Sequence, residues 1–201
     1  ANRGEIYALN GDEPVKLVMN QTVYTVFVDP AIITDADKVA ETMKSIAGGN
    51  VRKNFEDLLE KKDTRYQIIG TRVTRAQADK IKEKELKGIG FTAVSQRVYP
   101  EGQMAAQTLG FVNAEGVGNY GIEGYMNKEL SGGDGRLETV TDVSDVPLTI
   151  GDRNIRDAAV DGKNIVMSID RNIQSKVEKA LADGLERTGA TDASVVVMDP
   201  N

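Results

Sequence analysis

The sequence predicts an α+β fold, and three observations carry that prediction. Stretches rich in β-branched and aromatic residues read as short strands. Helical stretches opened by capping residues are interleaved with them. A chain of 201 residues that is 40% hydrophobic is long and apolar enough to bury a core.

The elements follow in order. Residues 3–9 read as a strand, Asn10 and Gly11 as a turn, and residues 22–28 alternate β-branched and aromatic side chains until Asp29 and Pro30 stop them. Thr34, with Asp37 three residues on, predicts a capping box for a helix to about residue 47, where Gly48 and Gly49 tolerate a left-handed exit. A second helix is expected over 51–62 and a strand over 66–73. Thr74 and Gln77 form another capping-box pattern, opening a helix to about residue 86. Residues 80–87 mix charges at helical spacing, which reads as a solvated face.

Residues 91–98 form the next expected strand, and Pro100 suits the first turn of a helix reaching about residue 109. The glycine-rich stretch 116–135 surrounds a short helix at 123–130, and strands are expected at 136–142 and 146–150. A polar, small-residue joint at 157–161 precedes a change of character. Residues 163–169 read as a strand and Asp170 as the N-cap of a helix whose Ile173, Val177, Ala180, Leu181 and Leu185 make one apolar face. Residues 194–198 read as a buried closing strand. The domain boundary is therefore expected near Val160, giving domains of 1–160 and 161–201.

Composition excludes several chemistries. A net charge of -6 leaves no electrostatic footprint for a phosphate backbone, so nucleic acid is not an expected partner. With no histidine and no cysteine, the chain has no Ser-His or Cys-His triad, no thiolate nucleophile and no disulfide. No metal or cofactor is expected. Gly118, Gly121 and Gly124 are spaced like a phosphate loop, but neither a dinucleotide fingerprint nor a Gly-Lys-Ser/Thr sequence accompanies them. The carboxylate pairs Asp142 with Asp145 and Glu123 with Glu129 read as solvated surface rather than as a hydrolytic dyad. No stretch approaches the roughly 20 apolar residues of a membrane span.

Four stretches share a pattern. The first is Arg3-Gly4-Glu5-Ile6-Tyr7-Ala8-Leu9-Asn10-Gly11, and the second is Arg97-Val98-Tyr99-Pro100-Glu101-Gly102 with Leu109-Gly110-Phe111 after it. The third is Gly118-Asn119-Tyr120-Gly121-Ile122-Glu123-Gly124-Tyr125, continuing through Leu130-Ser131-Gly132, and the fourth is residues 162–174. In this order they resemble the class B penicillin-binding proteins. Ala8 and Leu9 depart from that family, which usually has Asp-Arg there.

The resemblance implies an elongated α+β pedestal, or dimerisation, domain followed by the first strand, helix and strand of a transpeptidase domain. It marks Arg3, Gly4, Arg97, Tyr99, Pro100, Gly102, Gly121, Glu123, Leu130 and Gly132 as structural or interdomain residues. Charges set among apolar and glycine residues suggest that Arg3, Arg97 and Glu123 form an ion-pair network between separate segments. The resemblance also implies a parent on the extracytoplasmic face of the bacterial membrane, anchored by an upstream transmembrane helix and crosslinking peptidoglycan. Its implied partners are the transpeptidase domain in cis, a membrane glycosyltransferase, division or elongation proteins and a second copy.

The chemistry of a serine transpeptidase is missing from this stretch. It needs Ser-x-x-Lys, Ser-x-Asn and Lys-Thr/Ser-Gly. Three positions after Ser45, Ser95, Ser131, Ser144, Ser168, Ser175 and Ser194 stand Gly48, Val98, Asp134, Pro147, Arg171, Glu178 and Val197, none of them lysine. The expected function is a non-catalytic scaffold and docking module, and the alternative is an independent extracellular wall-binding or adhesive module.

Overall fold

The computed structural model describes residues 1–138 and 155–198. They form an α+β arrangement in two compact units, one of Ala1–Met19 with Arg97–Asn201 and the other of Asn20–Gln96. The division comes from the path of the chain. Strand β2 (Glu13–Val28) leaves the first unit after Met19, and β4 (Ile89–Val98) re-enters it at Arg97. The expected boundary near Val160 falls inside the first unit.

The first unit is organised by β1 (Ile6–Asn10). The turn signal at Asn10 and Gly11 folds it into an antiparallel hairpin with the start of β2, pairing Ile6 with Val18 and Asn10 with Glu13. On its other side β1 pairs in parallel with β9 (Ile165–Asp170), Ile6 opposite Ile165 and Tyr7 opposite Val166. Ile6, Ala8, Leu17 and Val18 from the hairpin meet Met104, Leu109, Leu130 and Met167 in a buried cluster. Two small ribbons complete the unit: β5 (Phe111–Val112) with β6 (Gly118–Asn119), and β7 (Arg136–Glu138) with β8 (Ile155–Asp157).

The second unit is a contiguous segment around a hydrocarbon core. β2 pairs antiparallel with β3 (Gln67–Thr74) and also with β4. Helices α1 (Ala36–Ala47) and α3 (Arg75–Lys82) bury Val39, Met43, Ala47, Ala78 and Ile81 against Val26, Val28, Ile69 and Val73, with Phe55 and Leu59 filling the core beside them. The Thr74 and Gln77 capping box has both arms. Lys82, from the expected solvated charge run, sets its ammonium 5.2 Å from the ring centres of Tyr24 and Phe91.

Several elements differ from the sequence reading. The first helix is capped by Asp35, which accepts from the Lys38 amide at 2.9 Å, one residue later than the expected Thr34. The helix expected over 51–62 is only α2 (Glu56–Leu59), because the Arg52 amide is spent on the Ile69 carbonyl and Val51 bridges Gly70, holding that stretch extended. The helix expected from Pro100 is only α4 (Ala106–Leu109), preceded by turns. The helix expected over 123–130 divides into α5 (Gly121–Tyr125) and α6 (Asn127–Ser131).

The C-terminal block departs most. α7 (Arg171–Thr188) is capped by Asp170 as expected, but none of its residues is buried. The expected closing strand at 194–198 is irregular and exposed, with Val196 at 82%. Its alternation of valines favours a strand only where a partner edge exists, and among the described residues no strand pairs with it. The strand expected at 146–150 and the Asp142 and Asp145 pair lie outside the described residues. No helix among the described residues is long and apolar enough to cross a membrane, and no metal-binding cluster of carboxylates occurs among them.

Candidate functional site

A buried carboxylate organises the first unit. Glu123 lies on α5 with no exposed surface, at a depth where an unpaired ion would be costly. Arg3 donates to its Oε2 from Nε at 2.8 Å and from Nη2 at 2.6 Å, and Arg97 donates from Nε to Oε1 at 2.8 Å. Both guanidinium groups are nearly buried, so the contacts are poorly screened by solvent. Two cations thus grip opposite oxygens of one anion, joining segments 120 and 26 residues apart in sequence.

The rest of the Arg3 fork carries the same logic. Its Nη1 donates to Asn127 Oδ1 at 2.9 Å and to Ser131 Oγ at 3.0 Å, both on α6, while Nη2 donates to the Glu123 carbonyl at 3.1 Å. A lysine has no such planar fork and could not hold these acceptors together. The Tyr99 hydroxyl approaches Glu123 Oε1 at 3.5 Å. Burial first, then the Glu123 charge, push its phenol up to about 12 despite the opposing Arg97 charge, so the ring stays neutral.

Glycines let the segments touch. A side chain on Gly4 would overlap the Lys163 carbonyl, and the Gly4 amide donates to the Leu130 carbonyl at 2.8 Å. Gly132 has φ of +67° and its missing Cβ makes room for the Val160 carbonyl and the Gly162 amide. Gly121, also at positive φ, abuts the Thr108 carbonyl, and Leu130 is fully buried. Gly102 has positive φ but open space, so there only the turn requires glycine. Pro100 is exposed in that turn.

The structure therefore brings together Arg3, Arg97, Tyr99 and Glu123, sets Gly4, Leu130 and Gly132 along one seam, and leaves Pro100 and Gly102 on a turn. The expectation of solvated surface for Glu123 and Glu129 holds for Glu129, which is exposed, and fails for Glu123, which is fully buried because Arg3 and Arg97 neutralise it there.

Sequence reasoning missed the contacts that seat α7. Arg171 donates from Nε and Nη2 to Glu101 Oε1 at 2.9 and 2.7 Å. Glu178 Oε1 accepts from the Ala105 amide at 2.8 Å, supplying an acceptor at the start of α4, where Ala105 has left-handed backbone and no side-chain oxygen. Gln174, one turn earlier, holds the same oxygen at 2.7 Å. The Gln174 and Glu178 spacing on one helix face was the available signal. Their partners are about 70 residues away and carried none.

The chain resembles known proteins along most of its length. Stage V sporulation protein D of Bacillus subtilis is 26% identical over 199 residues, covering 98% of this chain and 30% of that protein. Peptidoglycan D,D-transpeptidase FtsI of Escherichia coli is 27% identical over 191 residues, covering 92% of this chain and 32% of that protein. The chain thus spans about a third of the length of these relatives. The crystal structure of Penicillin Binding Protein 2X from Streptococcus thermophilus superposes with a TM-score of 0.63 at 25% identity, over 92% of this chain and 31% of that one. The Helicobacter pylori complex of Penicillin-Binding Protein PBP2 with MreC shares the fold, with a TM-score of 0.63 at 19% identity over 90% of this chain and 37% of that one. Residues 1–167 match the Penicillin-binding Protein dimerisation domain, and the chain belongs to that family.

Proposed function

We propose that this chain is the non-catalytic pedestal of a penicillin-binding protein, residues 1–160 forming the pedestal and 161–201 beginning a transpeptidase domain. The observation that carries the reading is the parallel pairing of β9 with β1. The strand leading toward the proposed catalytic domain is built into the pedestal's own sheet, and α7 after it is pinned through Glu101 and the Ala105 amide. A catalytic domain continuing from this helix would inherit an orientation set by the pedestal.

On this reading Arg3, Gly4, Arg97, Tyr99, Pro100, Gly102, Gly121, Glu123, Leu130 and Gly132 are structural residues that keep the pedestal stiff. The parent crosslinks peptidoglycan stem peptides as a serine D,D-transpeptidase, held at the outer face of the membrane by an upstream helix. The pedestal docks division or elongation proteins and a membrane glycosyltransferase. The MreC complex of the similarly folded Helicobacter pylori protein supports a docking role.

Two measurements test this reading. The 201-residue chain is expected to give no covalent adduct with a fluorescent penicillin by intact mass, because no serine here has a lysine three residues on. Labelling of any serine would overturn the non-catalytic assignment. Reading the gene past Asn201 is expected to reveal a Ser-x-x-Lys, and a stop codon there would sink the pedestal reading.

A further inference from the structure

Asn10 and Gly11 form the only Asn-Gly step in the 201 residues. Where glycine follows asparagine, no side chain shields the following amide nitrogen, which can then attack the asparagine's own side-chain carbonyl carbon. Here the step lies at the exposed end of the hairpin of β1 with β2, where Asn10 pairs with Glu13 and open space surrounds the position of a Gly11 Cβ. The attacking nitrogen is nevertheless engaged. The Gly11 amide donates to Asp170 Oδ2 at 3.0 Å, while Asp170 Oδ1 accepts from the Asn172 and Ile173 amides at 2.9 and 3.0 Å. One carboxylate therefore caps α7 with one oxygen and holds the hairpin turn with the other. The electrophile is held from the same helix, since Asn172 Nδ2 donates to Asn10 Oδ1.

We propose that Asn10 is a deamidation site that the start of α7 keeps closed, with Asp170 guarding it through the Gly11 amide. For reaction, that amide gives its proton to a solvent base and the nitrogen attacks Asn10 Cγ. The new N–C bond closes a succinimide ring, the Cγ–Nδ2 bond breaks, and Nδ2 leaves as ammonia. Water then opens the ring at either carbonyl, giving aspartate or isoaspartate. Asp170 opposes the first step twice: the charge-assisted hydrogen bond is lost when the proton leaves, and the anion left on nitrogen would lie beside a second anion. The Ile173 amide, and after it the Gly11 amide, holds the Asp170 carboxyl below its usual range, so the guard is charged at neutral pH. Reaction therefore requires the turn to part from α7, a helix with no buried residue. Isoaspartate lengthens the main chain by one carbon at the turn, which displaces the Gly11 amide from Asp170 and records the opening covalently. The proposal does not depend on the docking of other proteins or on a downstream catalytic domain.

The test holds the folded 201-residue chain in mildly alkaline buffer and follows Asn10 by trypsin digestion and mass measurement of residues 4–16, which Arg3 and Lys16 bracket as one peptide. A synthetic peptide of the same residues supplies the unguarded rate. The folded chain is expected to deamidate at Asn10 roughly tenfold or more slowly than the peptide, and Asp170→Ala to recover most of that difference. Should Asp170→Ala fail to fold, Asp170→Ser gives the same test: serine still caps a helix but has a single side-chain oxygen, with none left for Gly11. It should speed deamidation while circular dichroism shows the helix content unchanged. Leu59→Ala, in the other compact unit, should leave the Asn10 rate as it is. A folded chain that reacts as fast as the peptide overturns the proposal, and so do Asp170 variants that react at the native rate. Equal acceleration by Leu59→Ala would assign the protection to general stability and overturn the role of Asp170.

Discussion

Asn20–Gln96 and the unit formed by Ala1–Met19 with Arg97–Asn201 are held together by different forces. The first of these is one unbroken run of chain, and its interior is hydrocarbon: Met43, Phe55, Leu59, Ile69 and Ile81 are almost entirely buried, with valines and alanines around them. The other is assembled from separate parts of the sequence, and its interior is a smaller apolar cluster beside a fully buried glutamate and two nearly buried arginines. Glycine carbonyl contacts bring its backbones closer than side chains would permit. A contiguous segment reaches its register through short hairpins and helices, so non-directional burial suffices. Segments more than 100 residues apart need contacts that are satisfied in one geometry only, and charge-assisted hydrogen bonds to a buried carboxylate have that property.

The largest effect is expected from Glu123→Ala. It strands two arginines in a nearly dry site and is expected to destabilise the first unit by roughly 3–5 kcal/mol. Amide exchange should quicken in β1 and β9 while α1 keeps its protection. Glu83→Ala, on the exposed face of the charge run, should change stability by less than about 0.5 kcal/mol. Equal melting temperatures for the two variants would remove Glu123 from any structural role.

Leu59→Ala probes the other side. It opens a cavity in a core without directional contacts, at an expected cost of about 2–4 kcal/mol, with faster exchange in α1 and β3 and none of it in β1. Loss of protection spread evenly over both units would show that the contrast between them has no energetic meaning.

The smallest effect comes from Tyr99. Its phenol is pushed up to about 12, above the value of 10 for a free tyrosine, so the folded state keeps a proton that the unfolded chain releases. The folded state binds more protons in that interval, and the stability contributed is complete below pH 10 and lost as pH rises toward 12. Denaturant titrations at several alkaline pH values should show a steeper decline for the native chain than for Tyr99→Phe. Parallel curves would mean that burial and the Glu123 charge do not act on this ring.

Much of the local structure was legible in the residues themselves. The Thr74 and Gln77 capping box, the turn at Asn10 and Gly11 and the cap at Asp170 are encoded within four residues each, and each formed where local chemistry required. The identities of Arg3, Arg97 and Glu123 were legible too, since a charge set among glycines and apolar residues demands a partner. Failures clustered where a tertiary contact outweighed local propensity. Val51 and Arg52 are claimed by β3 and cannot continue a helix, and the valines of 194–198 pair with no strand among the described residues.

The capping, turn and strand signals, and the fact that no serine of these 201 residues has a lysine three positions on, are read from near neighbours alone, because each is a property of a few adjacent residues. Tertiary packing alone selected the pairing of β9 with β1 across some 159 positions, the path by which the chain leaves one compact unit after Met19 and returns to it after Gln96, and the Glu178 acceptor for the Ala105 amide. The physical reason is that side-chain periodicity specifies which face of an element is buried but not its partner. Strand order and ion-pair partners are selected by the collective packing of distant segments, in which each pairing is favourable only once the others have formed.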